Sequence, residues 1–284
     1  MAEVLAVRAI VHIERRPRRL GTVPVIAALV LLVIIACCVL APLVATYDPS
    51  ALSPNRFATF STAHLMGTDE LGRDLFSRML HAGRVSLGVA GGATAVAVLL
   101  GAVWGMLAGF SRAIVDEILM RLDDAAMAVP QMLLALIFVA AFGATPVNLA
   151  VIVGVILTPV TARMIRGAVL TELAEDYYLA AVAYGAPKWR LILTEVLPNV
   201  WAPIGVQAAI NVSNGIVLEA ALSFVGLGIQ DPNISWGLLV KYGFAMQSQS
   251  LGYVVFPAGT IFVTVWMLNL LADQLGRANV GGRS

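Results

Sequence analysis

The sequence predicts an all-α polytopic membrane protein with six transmembrane helices. Its 284 residues are 60% hydrophobic and only 12% charged, whereas a soluble domain carries about 25% charged residues. A transmembrane helix needs about 20 consecutive apolar residues. Six stretches of suitable length and composition lie near 23–46, 85–110, 124–143, 147–165, 200–226 and 251–272. The formal net charge of +1 gives the chain no overall basic field, so nucleic acid is not an expected partner.

The first apolar stretch, 23–46, is predicted to remain as a membrane span behind a basic tail at residues 1–22. It is longer than the roughly 7–15 apolar residues of a secretory signal. Five arginines directly precede it: Arg8, Arg15, Arg16, Arg18 and Arg19. Because basic residues beside a span stay in the cytoplasm, we predict that this tail and the tail at 273–284 are both cytoplasmic.

The two cysteines, Cys37 and Cys38, are adjacent inside this first stretch. Adjacent cysteines cannot frame a disulfide scaffold, and these two lack the spaced partners of a metal site. We therefore interpret them as apolar packing residues. The run that ends at Cys37 loosely fits a lipoprotein cleavage box, but the chain stays apolar through Val44, which disfavours lipidation.

Residues 47–84 are predicted to form an external loop that contains a short interfacial helix. Thr68 is a suitable N-cap for this helix, since Asp69 and Glu70 place two acids in its first turn. Three apolar residues then share one helical face: Leu71, Leu75 and Met79. The segment is either a solvated connector with an ordinary cap or a direct participant in substrate entry.

Residues 85–272 are predicted to form a core of five further spans. Small residues every four positions let two helix backbones approach closely, and the second span contains such a stripe at Gly101, Gly105 and Gly109. We therefore expect this span to be central. Pro130 and Pro159 fall inside the third and fourth spans and predict kinks there.

The long hydrophilic stretch 166–199 is predicted to form a helix–glycine–helix hairpin on the cytoplasmic side. Thr171 is a candidate N-cap for the first helix, and Gly185 suits its left-handed stop. Pro187 begins the second helix, and Pro198 marks its far end. One face of the first helix carries Leu173, Tyr177, Ala181 and Tyr184.

Within this hairpin, Ala180 and Ala181 are followed by Gly185 and later by Leu197 and Pro198. This spacing resembles the EAA loop of permease subunits in binding-protein-dependent ABC importers. The resemblance implies that the loop forms a coupling helix that docks on an ATPase subunit. It gives these candidate ATPase-coupling residues: Tyr178, Leu179, Ala180, Ala181, Gly185, Ala186, Leu197 and Pro198.

Two further stretches narrow the resemblance to the dipeptide, oligopeptide and nickel permeases, and to the second permease of their pair. One comprises residues 67–74 with 77–78, and the other comprises 221–230 with 235–237. Together with the hairpin they extend the resemblance over most of the chain. Three positions depart from the family pattern, which has Glu, Ile and Pro there: Leu179, Glu195 and Asp231.

The resemblance implies a six-helix type I ABC importer permease fold (MetI-like) in a bacterial-type cytoplasmic membrane. It implies as partners a homologous second permease, two cytoplasmic ATP-binding subunits and an extracytoplasmic substrate-binding protein, with the lipid membrane around them. That binding protein would deliver substrate to the external segments 47–84 and 227–250. The implied cargo is a dipeptide, an oligopeptide, nickel or a similar small solute.

The chain shows no sequence signature of a nucleotide site of its own. A P-loop places its lysine directly after a glycine, whereas the two lysines, Lys188 and Lys241, follow Pro187 and Val240. We therefore expect no ATPase activity and no cofactor in this subunit, with ATP and magnesium bound by the partner ATPase subunits. The sequence also gives no catalytic or metal-binding arrangement.

The fifth span carries the residues that we expect to line a translocation path. Gln207, Asn211 and Asn214 fall within an arc of roughly 60° on a helix, and Glu219 lies further along it. Polar side chains inside a span face other helices or water. The alternatives are a pore-lining stripe and hydrogen bonds between neighbouring helices, and for Glu219 a translocation role or a structural one.

The main alternative function is a proton-coupled secondary transporter that uses Asp123, Asp124 or Glu219 as proton sites. Acids at the start of a helix also simply offset its dipole, which is the other interpretation of the two aspartates. An intramembrane enzyme needs paired catalytic residues at matched depth, and the sequence offers none. A scaffold without a pore is a third alternative, which kinked and polar-striped spans argue against.

Overall fold

The structure, a computed structural model, describes residues 22–281, and this part of the chain is helical without a β-strand. The basic tail with its five arginines and residues 282–284 lie outside the described residues. The helices are, in chain order, α1 (Thr22–Val39), α2 (Ala41–Val44), α3 (Leu75–Phe110), α4 (Ala113–Ala128), α5 (Gln131–Phe142), α6 (Pro146–Leu173), α7 (Asp176–Ala183), α8 (Lys188–Leu191), α9 (Leu197–Val225), α10 (Trp236–Ala245) and α11 (Gly252–Gly281).

Within residues 22–281, five helices are long and apolar enough to cross a membrane: α1, α3, α6, the continuous α8–α9 helix and α11. The sixth crossing is a bent pair formed by α4 and α5, whose axes differ by 86°. With this pair counted as one span, the helices agree with the predicted six-span architecture. The most extensive packing is between α3 and α6, and α9 packs against both of these helices. Helix α11 packs against α9 and α10.

The predicted interfacial helix after Thr68 is wrong, because α3 begins only at Leu75 and then runs without a break into the second span. Its N-cap is Asp74, whose Oδ2 accepts a hydrogen bond from the Ser77 backbone N–H at 2.8 Å. Thr68 instead makes hydrogen bonds within segment 47–84. Its hydroxyl accepts a hydrogen bond from the Ala58 backbone N–H at 2.8 Å.

The turn formed by residues 69–73 explains why the helix starts late. Asp69 Oδ1 accepts hydrogen bonds from the backbone N–H groups of Leu71 and Arg73, both at 2.9 Å. A side chain that satisfies nearby N–H groups in this way favours a turn over a helix. Gly72 then takes a φ of +76°, a left-handed conformation that ends any helical run.

The glycine stripe of α3 packs against α6, as predicted. A Cβ atom on Gly101 would lie 2.8 Å from the Thr161 side chain, and one on Gly109 would lie 2.7 Å from that of Val169. At Gly105 it would collide with the carbonyl oxygen of Ala162. Close backbone approach therefore depends on these three missing side chains.

The predicted third span, 124–143, is not one straight helix. Helix α4 begins earlier, at Ala113, and the chain turns sharply at Val129 and Pro130 before α5. A residue before proline avoids the helical region, and Val129 is extended, with φ −89° and ψ 130°. The kink predicted at Pro130 is therefore confirmed, whereas the predicted span leaves out the first part of α4, residues 113–123. Helix α6, in contrast, continues through Pro159.

Candidate coupling hairpin and intramembrane polar residues

The hairpin predicted from the sequence is present between α6 and α9, and we call residues 171–199 the coupling hairpin. Its first helix is α7, and its second is α8. Between them Gly185 has a φ of +79°, which confirms the predicted left-handed turn. Pro187 is the N-cap of α8, also as predicted.

Both predicted ends of the hairpin differ in the structure. Thr171 is not a cap, because α6 continues to Leu173, and the Thr171 hydroxyl donates to the Gly167 carbonyl oxygen at 3.1 Å. Helix α7 starts after Glu175, which is extended with φ −73° and ψ 144°. Thr171 satisfies a carbonyl inside the preceding helix, so its hydroxyl is directed away from the start of α7.

Pro198 does not end the second helix. Helix α8 passes through a five-residue π-helical segment, Ile192–Val196, directly into α9. Pro198 lies in the first turn of α9, where the π segment has already shifted the hydrogen-bond register. A proline is tolerated in a first turn because its missing N–H is not needed there. The second helix of the hairpin is therefore continuous with the fifth span.

The outer surface of the coupling hairpin is apolar and open. Its exposed large side chains are Tyr177, Leu179, Val182, Tyr184, Trp189 and Leu193. Tyr184 is 92% exposed, whereas Tyr177, at 38%, is the least exposed of them. No residue of α7 is fully buried. An apolar patch on a surface segment is typical of a protein–protein contact.

The predicted coupling residues fall into two places on this hairpin. Six of them lie together on α7 and the turn that follows: Tyr178, Leu179, Ala180, Ala181, Gly185 and Ala186. Leu197 and Pro198 lie apart from these, beyond the π segment at the start of α9. The Tyr178 ring faces inward and packs on an apolar cluster that includes Val169 and Val200.

The hydrogen bonds of Tyr177 are not predicted by the sequence. Its hydroxyl donates to Glu172 Oε2 at 2.5 Å, and it accepts a hydrogen bond from Asn199 Nδ2 at 3.0 Å. Burial and the hydrogen bond to Glu172 raise the pKa of Tyr177 to about 12, so the hydroxyl keeps its proton at neutral pH. The sequence placed Tyr177 on a helix face but gave no sign of partners at the ends of α6 and α9.

Two of the predicted pathway residues belong to a hydrogen-bonded chain that reaches from α9 to α6. Gln207 Nε2 donates to Asn211 Oδ1 at 3.0 Å, and Asn211 Nδ2 donates to Thr161 Oγ1 on α6 at 2.9 Å. Gln207 and Asn211 are buried, whereas Asn214 is exposed. The three side chains therefore do not form one accessible stripe, and the helix-contact alternative is the one that this geometry supports for Gln207 and Asn211.

Glu219, the fourth predicted pathway residue, is completely buried. It accepts hydrogen bonds from Ser86 Oγ at 2.9 Å and from Ser223 Oγ at 2.7 Å. Each serine hydroxyl in turn accepts a backbone N–H, that of Trp236 for Ser86 and that of Ile229 for Ser223. Glu219 therefore connects α3, α9 and the loop before α10, which favours the structural alternative.

The two aspartates considered as proton sites have different surroundings on α4. Asp124 Oδ1 accepts a hydrogen bond from Arg163 Nη2 on α6 at 2.5 Å. Asp123 is buried, and its Oδ2 has no hydrogen-bond partner among the described residues. A second ion pair, Arg166 with Asp116 at 2.5 Å, also joins α6 to α4. The two ion pairs therefore join α4 to α6 at two places, one in the first turn of α4 and one closer to the bend.

Comparison with known proteins assigns the chain to a family. Residues 101–280 match the model of the binding-protein-dependent transport system inner membrane component. The chain is 38% identical over 254 residues to the di/tripeptide transport system permease protein DppC of Pseudomonas aeruginosa (strain UCBPP-PA14), covering 87% of this chain and 84% of that protein.

Two other relatives have similar coverage. The probable D,D-dipeptide transport system permease protein DdpC of Escherichia coli (strain K12) is 33% identical over 252 residues, with 88% and 85% of the two chains covered. The oligopeptide transport system permease protein OppC of Bacillus subtilis (strain 168) is 32% identical over 261 residues, with 90% and 85% covered. These matches confirm the predicted resemblance and go against the proton-coupled alternative. The chain belongs to the family of binding-protein-dependent transport system inner membrane components.

Proposed function

We propose that this chain is one of two permease subunits of an ATP-driven importer that carries short peptides across a bacterial cytoplasmic membrane. The relatives named above are di/tripeptide, D,D-dipeptide and oligopeptide permeases, which supports peptides as the cargo. The observation that carries the proposal is the coupling hairpin. It presents an open apolar surface that a cytoplasmic ATPase subunit would cover.

The proposed topology places the hairpin on the cytoplasmic side. The arginines before α1 hold the amino-terminal tail in the cytoplasm. The hairpin follows the fourth crossing when the bent α4–α5 pair counts as one span. An even number of crossings returns the chain to the side on which it began. The carboxy-terminal tail, after the sixth crossing, lies on that same side.

Energy enters this complex from other subunits. ATP and magnesium bind to two partner ATPases, because this chain has no lysine in a P-loop context. Nucleotide binding brings the two ATPases together and moves the coupling hairpins of both permeases. The continuous α8–α9 helix then passes that movement into the membrane.

The external segments 47–84 and 227–250 form the surface that receives the binding protein in this proposal. Trp236 joins them, since its side chain is buried and its Nε1–H donates to the Met79 carbonyl oxygen at 3.1 Å. The Trp236 backbone N–H also donates to Ser86 Oγ at 3.1 Å. A docking protein would therefore meet one packed surface at the external end of α3 and α10.

Co-purification from native membranes with mass spectrometry tests the proposed assembly. We expect a second permease, two ATPase subunits and a binding protein, and we expect that binding protein to hold a short peptide. A stable homomer of this chain that contains no ATPase would contradict the proposal. A binding protein that holds a different solute would contradict the peptide assignment alone.

A further inference from the structure

Tyr177 connects the coupling helix α7 to two membrane spans at once. Its hydroxyl donates to Glu172 Oε2, in the last turn of α6, at 2.5 Å. The same oxygen accepts the Asn199 Nδ2 hydrogen bond at 3.0 Å, and Asn199 lies in the first turn of α9. Asn199 Nδ2 also donates to the Glu195 carbonyl oxygen of the π segment at 2.9 Å. A single hydroxyl therefore lies where α6, α7 and the π segment that leads into α9 meet.

Helix α7 has few other attachments to the rest of the protein. None of its residues is fully buried. Its inward side chain is Tyr178, which packs on the apolar cluster between α6 and α9. The chain connections at its two ends are short turns, residues 174–175 and 184–187, and the second contains the left-handed Gly185. No residue of these two turns is buried. The hydrogen bonds of Tyr177 therefore supply directional contacts between α7 and the neighbouring helices.

Glu172 is a suitable acceptor for the Tyr177 hydroxyl, because α6 holds it in place. Its carboxylate is buried in the last turn of α6, and a hydrogen bond to a buried charged group is stronger than one between neutral groups. The Tyr177 hydroxyl keeps its proton, because burial and this hydrogen bond raise the pKa of Tyr177 to about 12. The donor therefore stays available throughout the neutral range.

We propose that the Tyr177 hydroxyl is a positioning contact that makes α7 move as one body with the ends of α6 and α9. Displacement of the coupling hairpin by an ATPase subunit would then reach both spans together. This inference rests on the proposed function, in which the hairpin docks on that subunit. It adds that the Tyr177 hydroxyl, in the first turn of α7, is needed to pass the movement of the hairpin to α6 and α9. The hydroxyl is not needed for the hairpin to bind the ATPase subunit.

The test uses the complete transporter in proteoliposomes with its binding protein, and compares wild type with Tyr177→Phe. The ring and its packing remain in this variant, and only the hydroxyl is lost. We expect the ATPase subunits to stay bound and to hydrolyse ATP, while the amount of peptide imported per ATP falls by about fivefold or more. Asn199→Ala, which leaves the bond to Glu172 in place, should lower the same ratio by less.

Thr264→Val is the control, because it also removes one buried hydroxyl with little change in shape. Thr264 lies on α11, outside the coupling hairpin and the external segments, and its hydroxyl donates to the Thr260 carbonyl oxygen at 2.7 Å. This variant should leave the import ratio unchanged. An unchanged ratio in Tyr177→Phe would overturn the proposal. Loss of the ATPase subunits in Tyr177→Phe would also overturn it, since the hydroxyl would then serve docking. Failure of the wild-type complex to contain ATPases would instead contradict the proposed function.

Discussion

Ser86 on α3 donates a hydrogen bond to Glu219 on α9 at 2.9 Å, across 133 positions of the chain. The same serine oxygen accepts the backbone N–H of Trp236, which starts α10. Ser223 repeats this arrangement on the other carboxylate oxygen, with Ile229 as its N–H donor. Glu219 therefore accepts hydrogen bonds from two hydroxyls, each of which accepts one from a backbone N–H, and this network joins α3, α9 and the start of α10.

Glu219→Ala should lower the free energy of unfolding by about 3 kcal/mol, because two buried serine hydroxyls lose their acceptor. Glu219→Gln should cost less, since one amide oxygen remains to accept. Thermal unfolding of the purified protein in detergent measures both changes. Asn214→Ala on the exposed side of the same helix is the control and should change stability by no more than about 0.5 kcal/mol. Wild-type stability of Glu219→Ala would show that the network is not structural.

Gly105→Ala should separate α3 from α6, because a Cβ atom there collides with the Ala162 carbonyl oxygen. Overpacking of this kind costs about 1–3 kcal/mol. Gly88→Ala, on the same helix, is the matched control, since nothing lies within 4 Å of its Cβ position. It should leave the unfolding temperature unchanged or raise it. Equal effects of the two substitutions would contradict close packing of this stripe.

Gly185→Val should impair coupling between the hairpin and the ATPase subunits, because valine disfavours the backbone conformation of this turn. Gly185 has a φ of +79° and open space around its Cβ position, so valine costs about 1–2 kcal/mol in the left-handed region. We expect weaker association with the ATPase subunits and less ATP hydrolysis in response to the binding protein.

Gly143→Val is the control for that variant. Gly143 has a similar φ of +82° and similarly open surroundings, but it lies in the turn between α5 and α6. Its ψ of 164° places Gly143 in a backbone region that is essentially limited to glycine. The substitution therefore carries a backbone cost at least as large, away from the hairpin, and should leave association with the ATPases intact. If Gly185→Val and Gly143→Val reduced ATPase association equally, the coupling assignment of the hairpin would be wrong.

Asn211→Ala and Thr161→Val should be coupled, because these side chains hydrogen-bond across α6 and α9 at 2.9 Å. Each single variant should lose about 1 kcal/mol of stability, and the double variant should lose less than their sum. Chemical unfolding of the four proteins gives the interaction energy. Additive losses together with altered peptide transport would instead support a pore-lining Asn211.

The sequence allowed the spans and the hairpin turn to be predicted because both depend on local chemistry. Apolar length identifies a span, and a glycine between two helical patterns identifies the left-handed stop at Gly185. The start of α3 was misplaced because Thr68 and Asp74 are both good caps. Choosing between them depends on the turn around Asp69 and Gly72, which is set by contacts across the external segment.

The parts of the site that could not be predicted depend on long-range contacts. The amino-terminal part of α4 could not be recognised as part of a span, because its charged residues lower the mean hydropathy of that stretch. Two of these residues, Asp116 and Asp124, are paired with arginines on α6. The connection through Tyr177 joins residues on three helices. Helical spacing placed Gln207 and Asn211 on one face, but it did not reveal that Thr161 lies opposite them.

Uptake of a labelled dipeptide into proteoliposomes that contain the complete transporter is the most direct test of the central claim. We predict uptake that requires both ATP and the binding protein and that a protonophore does not affect. Uptake that continues without ATP and is abolished by the protonophore would contradict it.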